Sequence, residues 1–359
     1  MKVIIAGGGT GGHLFPGIAV AQELKRRSDE HQILFVGSPR GIEKDAVPKA
    51  GFKVELLPVS GLRRMGLVGT VKSLLKLPVA IFKAFGLVLR FRPSVAVSVG
   101  GYAAGPAVLA ARLLGVHVVV MEQNAVAGTT NRILGKMAHR IVASLPVQGL
   151  PESKVEVLGN PVRIEMNTVR SEDFDVHQPL RILVFGGSQG ARAINNTVVE
   201  MLESFPELKG KIEVFHQTGR LDFETISSRY EKLGIPEYRC ETFIDAMADA
   251  YRWADVVICR AGATTIAELT VCGRPAILIP FPYAVDDHQT ANAKALEDVG
   301  AAIHIAQSTL SSETLKGHVD KFLTDRTALN EMAAAAKASG RPSAAADICN
   351  LLEKEGGHV

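Results

Sequence analysis

The chain predicts an α/β protein of two doubly wound domains, and three observations carry that expectation. Short, wholly apolar strands alternate with helical patterns, as in parallel sheets covered by helices on both faces. A strand, a glycine-rich loop and a helix open the sequence, and the same unit restarts near residue 180. A length of 359 residues, at roughly 150 per domain, allows two cores. With 47% hydrophobic and 21% charged residues, a disordered or low-complexity chain is excluded.

In chain order, a strand at Val3–Ala6 runs into Gly7-Gly8-Gly9-Thr10-Gly11-Gly12-His13, followed by an apolar-periodic helix over Pro16–Leu24. Further strands are expected at Ile33–Val36, Val95–Val99 and Val116–Met121. The second unit restarts with a strand at Ile182–Phe185, the loop Gly186-Gly187-Ser188-Gln189-Gly190 and a helix over Ala193–Leu202. Strands at Val256–Cys259 and Ala276–Ile279 complete it. Gly159-Asn160-Pro161-Val162-Arg163 marks a break between residues 1–160 and 161–342. A last helix, 343–359, begins at the capping candidate Ser343 and is expected to pack across the domain join.

Four widely spaced cysteines without a CxxC pair fit reduced, buried thiols. The longest uncharged stretches, 3–22 and 93–111, are broken by Gly and Pro, so no spanning or secretory segment is expected and the chain reads as cytoplasmic. The net charge of +3 hides a polarity: residues 1–160 carry 20 Lys and Arg against 9 Asp and Glu. From Leu56 to Met121 there is no acid at all. An anionic partner, a membrane surface or nucleic acid, is implied for this half. Within 62–92, Lys72, Lys76, Lys83 and Arg90 share one helical stripe beside Leu75, Val79, Phe82 and Phe85, with a kink expected at Pro78. Such an element reads as membrane-docking, or else as a core helix with a cationic exposed face.

Gly7, Gly9 and Gly12 fit a GxGxxG loop, but Gly37-Ser38 stands where a dinucleotide site needs an acid, and His13 stands where a Walker lysine would. What survives is a phosphate or sugar approaching backbone N–H groups at a helix start. His13, at that start, is a candidate neutral base or a structural histidine. In Arg260-Ala261-Gly262-Ala263-Thr264-Thr265-Ile266-Ala267-Glu268, hydroxyls and free N–H groups suit a diphosphate. Glu268 one turn on can take a ribose diol, or be an ordinary helix-start acid. Asp286-Asp287-His288-Gln289 and Asp173-Phe174-Asp175 hold metal-ligand residue types without metal spacing, so they read as solvated loops and no metal is expected.

Together GGGTGGH (7–13), GGYAAGP (100–106), EQN (122–124), GNPVR (159–163), FGGSQGAR (185–192), RAGATTIAE (260–268) and DDHQTANA (286–293) resemble the MurG-type enzymes. These are UDP-N-acetylglucosamine:undecaprenyl-diphospho-muramoylpentapeptide N-acetylglucosaminyltransferases, and the resemblance spans the chain. It implies a GT-B fold, two Rossmann-like domains facing across a cleft. The first domain would take the lipid-linked acceptor and dock on the membrane, and the second would take the UDP-sugar. It implies further that Ser188, Ala263, Thr264 and Thr265 hold the diphosphate, Glu268 the ribose and the Ile244 backbone the uracil, with Arg163 nearby. Gln289 and His288 would contact the sugar or diphosphate, and Thr10, Gly11, Gly12 and Asn124 would complete the site. His13 and Glu122 are both candidate bases for an inverting displacement that needs no obligatory cofactor. Partners would be UDP-N-acetylglucosamine, undecaprenyl-diphosphate-linked muramoyl-pentapeptide and an anionic membrane surface, not nucleic acid; the place of work would be the inner face of the plasma membrane. Other readings are a related transferase with another lipid acceptor, a nicotinamide dehydrogenase, or a non-catalytic membrane-recruited sugar-nucleotide sensor.

Overall fold

A computed structural model describes residues 1–39, 41–59, 67–169, 179–187, 189–234 and 238–357, with side chains of 67–75 and of residue 285 outside the description. The chain divides into two compact units, Met1–Val162 with Arg341–Val359, and Arg163–Gly340.

The first unit runs β1 (Lys2–Gly7), α1 (Gly11–Arg27), β2 (Gln32–Gly37), α2 (Glu43–Lys49), β3 (Lys53–Leu56), α3 (Leu67–Phe91), β4 (Val95–Gly100), α4 (Ala104–Leu113), β5 (His117–Glu122), α5 (Thr129–Met137), β6 (Arg140–Ala143) and β7 (Val155–Val157). Its parallel sheet has the order β3-β2-β1-β4-β5-β6-β7. Strand alternation splits the core. Ile4 and Ala6 face Ala84, Leu87 and Val88 of α3 and the small residues of α4, while Val3 and Ile5 face Leu14, Ile18 and Leu24 of α1.

The second unit contains β8 (Leu180–Phe185), α6 (Arg192–Ser204), β9 (Ile212–Gln217), α7 (Phe223–Leu233), β10 (Tyr238–Glu241), α8 (Met247–Trp253), β11 (Val256–Cys259), α9 (Ala263–Val271), β12 (Ala276–Leu278), α10 (His288–Glu297), β13 (Ala302–His304), α11 (Ser312–Thr324) and α12 (Arg326–Ser339). Its parallel sheet is ordered β10-β9-β8-β11-β12-β13.

The last helix, α13 (Ala344–Gly356), was expected across the join; it is instead a layer of the first unit. Ile348, Cys349 and Leu352 enter the core beside α1, and Arg27 of α1 donates to Glu353 Oε2 and Asn350 Oδ1, each at 2.8 Å. Ser343 does not cap it, since its hydroxyl bonds Asp347 at 2.6 Å. Helix α1 begins at Gly11, well before the expected Pro16, because its first turn is glycine and histidine rather than an apolar stripe. The four cysteines are free, and burial pushes Cys272 and Cys349 up to about 12.

Candidate active site

In each sheet the strand order reverses once, between β1 and β4 and between β8 and β11. Ligands of doubly wound sheets bind at such switch points, beyond the carboxyl ends of the strands. The glycine loops sit there in both units.

In the first unit, Gly7 and Gly100 bring two loops into backbone contact. Gly7 has φ +130, and a Cβ on it would lie 2.0 Å from the Gly100 carbonyl oxygen, so only glycine fits. Gly8 N–H donates to that oxygen at 3.0 Å. Gly9 N–H donates to Glu43 Oε2 at 2.9 Å, and Ser38 N–H to Glu43 Oε1 at 2.8 Å. Glu43 is 1% exposed, and a side chain at Gly37 would collide with it. The acid missing at Gly37-Ser38 is thus supplied from residue 43, turned inward onto the loop's own backbone. Nothing lies within 4 Å of where a Cβ on Gly9 or Gly12 would stand, so a ligand has room to approach α1's first turn, past the exposed Thr10 and between Gly11 and Gly12.

His13, the third residue of α1, is half-buried, with Nδ1 3.0 Å from Gln123 Oε1. The other candidate base is differently placed. Glu122 is 1% exposed and its two oxygens accept from Asn124 N–H (3.0 Å), Asn124 Nδ2 (3.2 Å), Gly128 N–H (3.1 Å) and Asn131 Nδ2 (2.9 Å). Both oxygens are spent on ordering the loop after β5. Asn124's amide nitrogen therefore serves Glu122.

In the second unit the loop after β8 packs on β9. Gly190 has φ +75, and a Cβ there would meet the Thr218 carbonyl oxygen at 1.9 Å. Gln217 at the end of β9 ties two predicted pieces together: its Nε2 donates to Gly187 O at 2.9 Å, and its Oε1 accepts from Ile244 N–H at 2.9 Å. The expected contact of the Ile244 backbone with a base is narrowed by this, because its N–H is committed to Gln217. Ser188 lies outside the described residues.

Across the switch point, α9 starts at Ala263 with no acid in its first turn and no side-chain cap at Gly262, so its first N–H groups are available to an anion. Thr264 Oγ1 is buried and bonds nothing among the described residues, and Thr265 lies half-buried beside it. One turn on, Glu268 is held from both sides by Tyr251 OH on Oε2 at 3.2 Å and Arg163 Nη2 on Oε1 at 3.4 Å. Burial raises Glu268 above the usual carboxylate range, against the pull of Arg163 and Tyr251. Burial also keeps the Tyr251 phenol protonated, well above its usual range. Gln289 on α10 accepts from Phe281 N–H at 2.9 Å, leaving its amide N–H groups for a ligand, and His288 opens the same helix. Asp286 and Asp287, just before it, both have positive φ, strain of the kind that collects at ligand loops.

The sequence by itself pointed to no role for Glu43, Gln123, Gln217 or Tyr251, although Gln123 stands within the EQN motif. None sits in a glycine loop; each reaches its loop from another strand end or helix. Among the described residues no group of His, Cys, Asp and Glu is gathered as for a metal ion; Asp173 and Asp175 lie outside them. On α3, which continues through Pro78, Phe82 is 79% and Val79 51% exposed, and Lys76 and Lys83 are exposed. Phe85 instead packs against the core, and Arg90 pairs with Glu55 at 3.0 Å, so those two leave the stripe. The side chains of Lys72 and Leu75 are outside the description. Among the described residues no helix is long and apolar enough to cross a membrane.

Two parallel-sheet domains with glycine loops and uncapped helix starts at their switch points, one of them beside a buried carboxylate, make an architecture suited to a phosphate-bearing sugar ligand. Residues 3–143 match the glycosyltransferase family 28 N-terminal domain and residues 181–348 the glycosyltransferase family 28 C-terminal domain. A protein of Myxococcus xanthus is 45% identical over 97% of this chain and 92% of its own length, and one of Syntrophus aciditrophicus 45% identical over 97% of both. Each is a UDP-N-acetylglucosamine–N-acetylmuramyl-(pentapeptide) pyrophosphoryl-undecaprenol N-acetylglucosamine transferase. The crystal structure of Acinetobacter baumannii MurG superposes with a TM-score of 0.81 at 34% identity, covering 98% of this chain and 99% of that one. The chain belongs to this family of N-acetylglucosamine transferases.

Proposed function

We propose that the protein moves N-acetylglucosamine from UDP-N-acetylglucosamine to the C4 hydroxyl of lipid-linked muramoyl-pentapeptide, inverting C1 to give the β(1→4) disaccharide precursor of peptidoglycan. Near-full-length identity to transferases of that name carries the reading. The second unit takes the donor. Glu268 accepts the ribose hydroxyls, the Ile244 carbonyl meets the uracil, and Ser188 with the α9 start at Ala263–Thr265 binds the diphosphate. Gln289, with His288, reaches the sugar side. Negative charge growing on the departing UDP is met by preorganised N–H and hydroxyl groups, which can supply several kcal/mol; no metal is required in this reading, so a chelator leaves the rate unchanged. The first unit takes the acceptor, with His13 as the base that removes the hydroxyl proton. Glu122, whose oxygens are consumed by four donors, shapes the loop that carries Asn124. The deciding assay follows UDP release with and without lipid acceptor. Acceptor-dependent release is expected; tight UDP-sugar binding with no release would make the chain a sensor.

The acceptor's lipid anchor requires work at a membrane, and we place the protein peripherally on the cytoplasmic face. Phe82 and Val79 with Lys76 and Lys83 support docking by α3, since each basic side chain near an anionic surface adds about 1 kcal/mol. Sedimentation with anionic vesicles should weaken with salt and be lost on replacing Lys72, Lys76 and Lys83 with Glu. Equal binding to neutral vesicles would remove the electrostatic part.

A further inference from the structure

We propose that Gln123 is a positioning residue that fixes the tautomer of His13, and so decides which ring nitrogen takes the acceptor proton. The inference rests on His13 being the base, and it concerns a residue on β5's exit, far from His13 in sequence.

A neutral imidazole carries one proton, and the bond made by one nitrogen sets the role of the other. His13 Nδ1 lies 3.0 Å from Gln123 Oε1. An amide oxygen only accepts, so Nδ1 holds the proton and donates it, and Nε2 is left with the lone pair. Gln123 is 1% exposed, and its Nε2 is buried with no partner among the described residues. Among the described residues the amide's one side-chain bond is the bond to His13. The ring is confined on another side as well. A Cβ on Gly100 would stand 3.1 Å from His13 Nδ1 and 3.6 Å from Asn131 Nδ2. Asn131 is itself fixed by Met121 O and Glu122 Oε2, both at 2.9 Å. Glu122 thus belongs to the support of this corner, one residue from the amide that orients the ring.

The logic is that of a base oriented by a third group, as in hydrolase triads, with one chemical difference. A carboxylate partner would stabilise the imidazolium formed after proton transfer, whereas a neutral amide orients the ring without adding charge. During the displacement the C4 hydroxyl proton passes to Nε2, the hydroxyl oxygen bonds C1, and the C1–O bond to UDP breaks with its electron pair on the diphosphate. Nδ1–H stays on Gln123 throughout.

Two substitutions test this. Gln123→Leu keeps the volume and removes the acceptor; Gln123→Glu keeps an acceptor at the same reach. In the wild-type protein, histidine-selective nitrogen NMR at a pH where the ring is neutral should give His13 the pattern of a protonated Nδ1 and a bare Nε2. In Gln123→Leu that pattern should move toward protonated Nε2, with kcat falling about 10²-fold or more and the donor KM unchanged. Gln123→Glu should restore both the pattern and most of the rate. A protonated Nε2 in the wild-type protein overturns the proposal, as does an equal kcat loss in both variants with the His13 spectrum unmoved. If the spectrum behaves as expected but His13→Ala costs less than tenfold, the Gln123 bond stands and the base assignment fails. That outcome is read independently of the first.

Discussion

In the first unit the glycine loop after β1 leans across its switch point onto β4, Gly8 N–H bonding the Gly100 carbonyl at 3.0 Å. In the second the loop after β8 leans the other way, onto β9, with Gly190 seated over the Thr218 carbonyl. The first loop's Gly9 N–H is already answered by a carboxylate of the chain, Glu43. Like α1, α9 of the second unit starts with no acid in its first turn and no side-chain cap, but it also holds a buried Thr264 hydroxyl without a partner among the described residues. Similar strand orders, with five glycines in the first loop and three in the second, thus accompany one loop braced by an internal carboxylate and one helix start that offers an additional buried hydroxyl. Where the local donors are spent differs between the two units, and neither topology nor glycine spacing determines it.

The comparison can be broken at its strongest point by removing the proposed base. His13→Ala should lower kcat by about 10²–10⁴-fold while leaving UDP affinity intact. Steady-state kinetics beside UDP calorimetry measure both, and a fall in UDP affinity would move donor contacts into the first unit. The converse variant acts on the second unit. Glu268→Ala should weaken UDP binding by about 1.5–3 kcal/mol, the range for hydrogen bonds to a charged group; unchanged calorimetry in a folded variant removes Glu268 from the ribose.

A smaller effect sharpens the contrast between loops. Glu43→Ala leaves the N–H groups of Gly9 and Ser38 without their acceptor, at about 1–3 kcal/mol of folding stability. Urea unfolding reads the loss, and UDP affinity should not follow it if, as proposed, the nucleotide is held by the other unit.

The smallest expected effect is a stability gain with a definite sign in pH. Burial raises Glu268 in the folded protein, so ionising it there is harder than in the unfolded chain. The folded state is relatively favoured below the unfolded carboxylate's range and loses that advantage as pH rises through the raised value. Glu268→Gln removes the penalty: it should be more stable than wild type at neutral pH and no different in acid. A difference persisting at acid pH would assign the effect to packing. The gain at neutral pH, set against weaker UDP binding, is the expected trade at a functional site.

Much of this was legible in the residues themselves. The strand Val256–Cys259 falls where its apolar run put it, and both strand–loop–helix units form as their pattern implied, with the structure placing them at the two switch points. Strands β3, β6, β7, β9, β10 and β13 went unread: β3, β7 and β10 are short and half-exposed, β13 has only three residues, and in the buried β6 and β9 a charged or polar residue (Arg140, Glu213, His216) interrupts the apolar run. Glu268 could be singled out because its chemistry is local, one turn from a helix start. The partners that give the site its character could not. Glu43 lies 34 residues from Gly9, Gln217 lies 27 from Ile244, and Gln123 lies 110 from His13.

By itself, then, the sequence determined the strand–loop–helix period, the glycine turns and the burial of the apolar strands on both faces, since those follow from neighbouring residues and the fixed geometry of strand and helix. Only the tertiary structure decided that Glu43 answers one glycine loop and that Gln123 meets His13. Those pairings depend on which strand ends lie side by side, and strand order is settled by packing of the whole sheet.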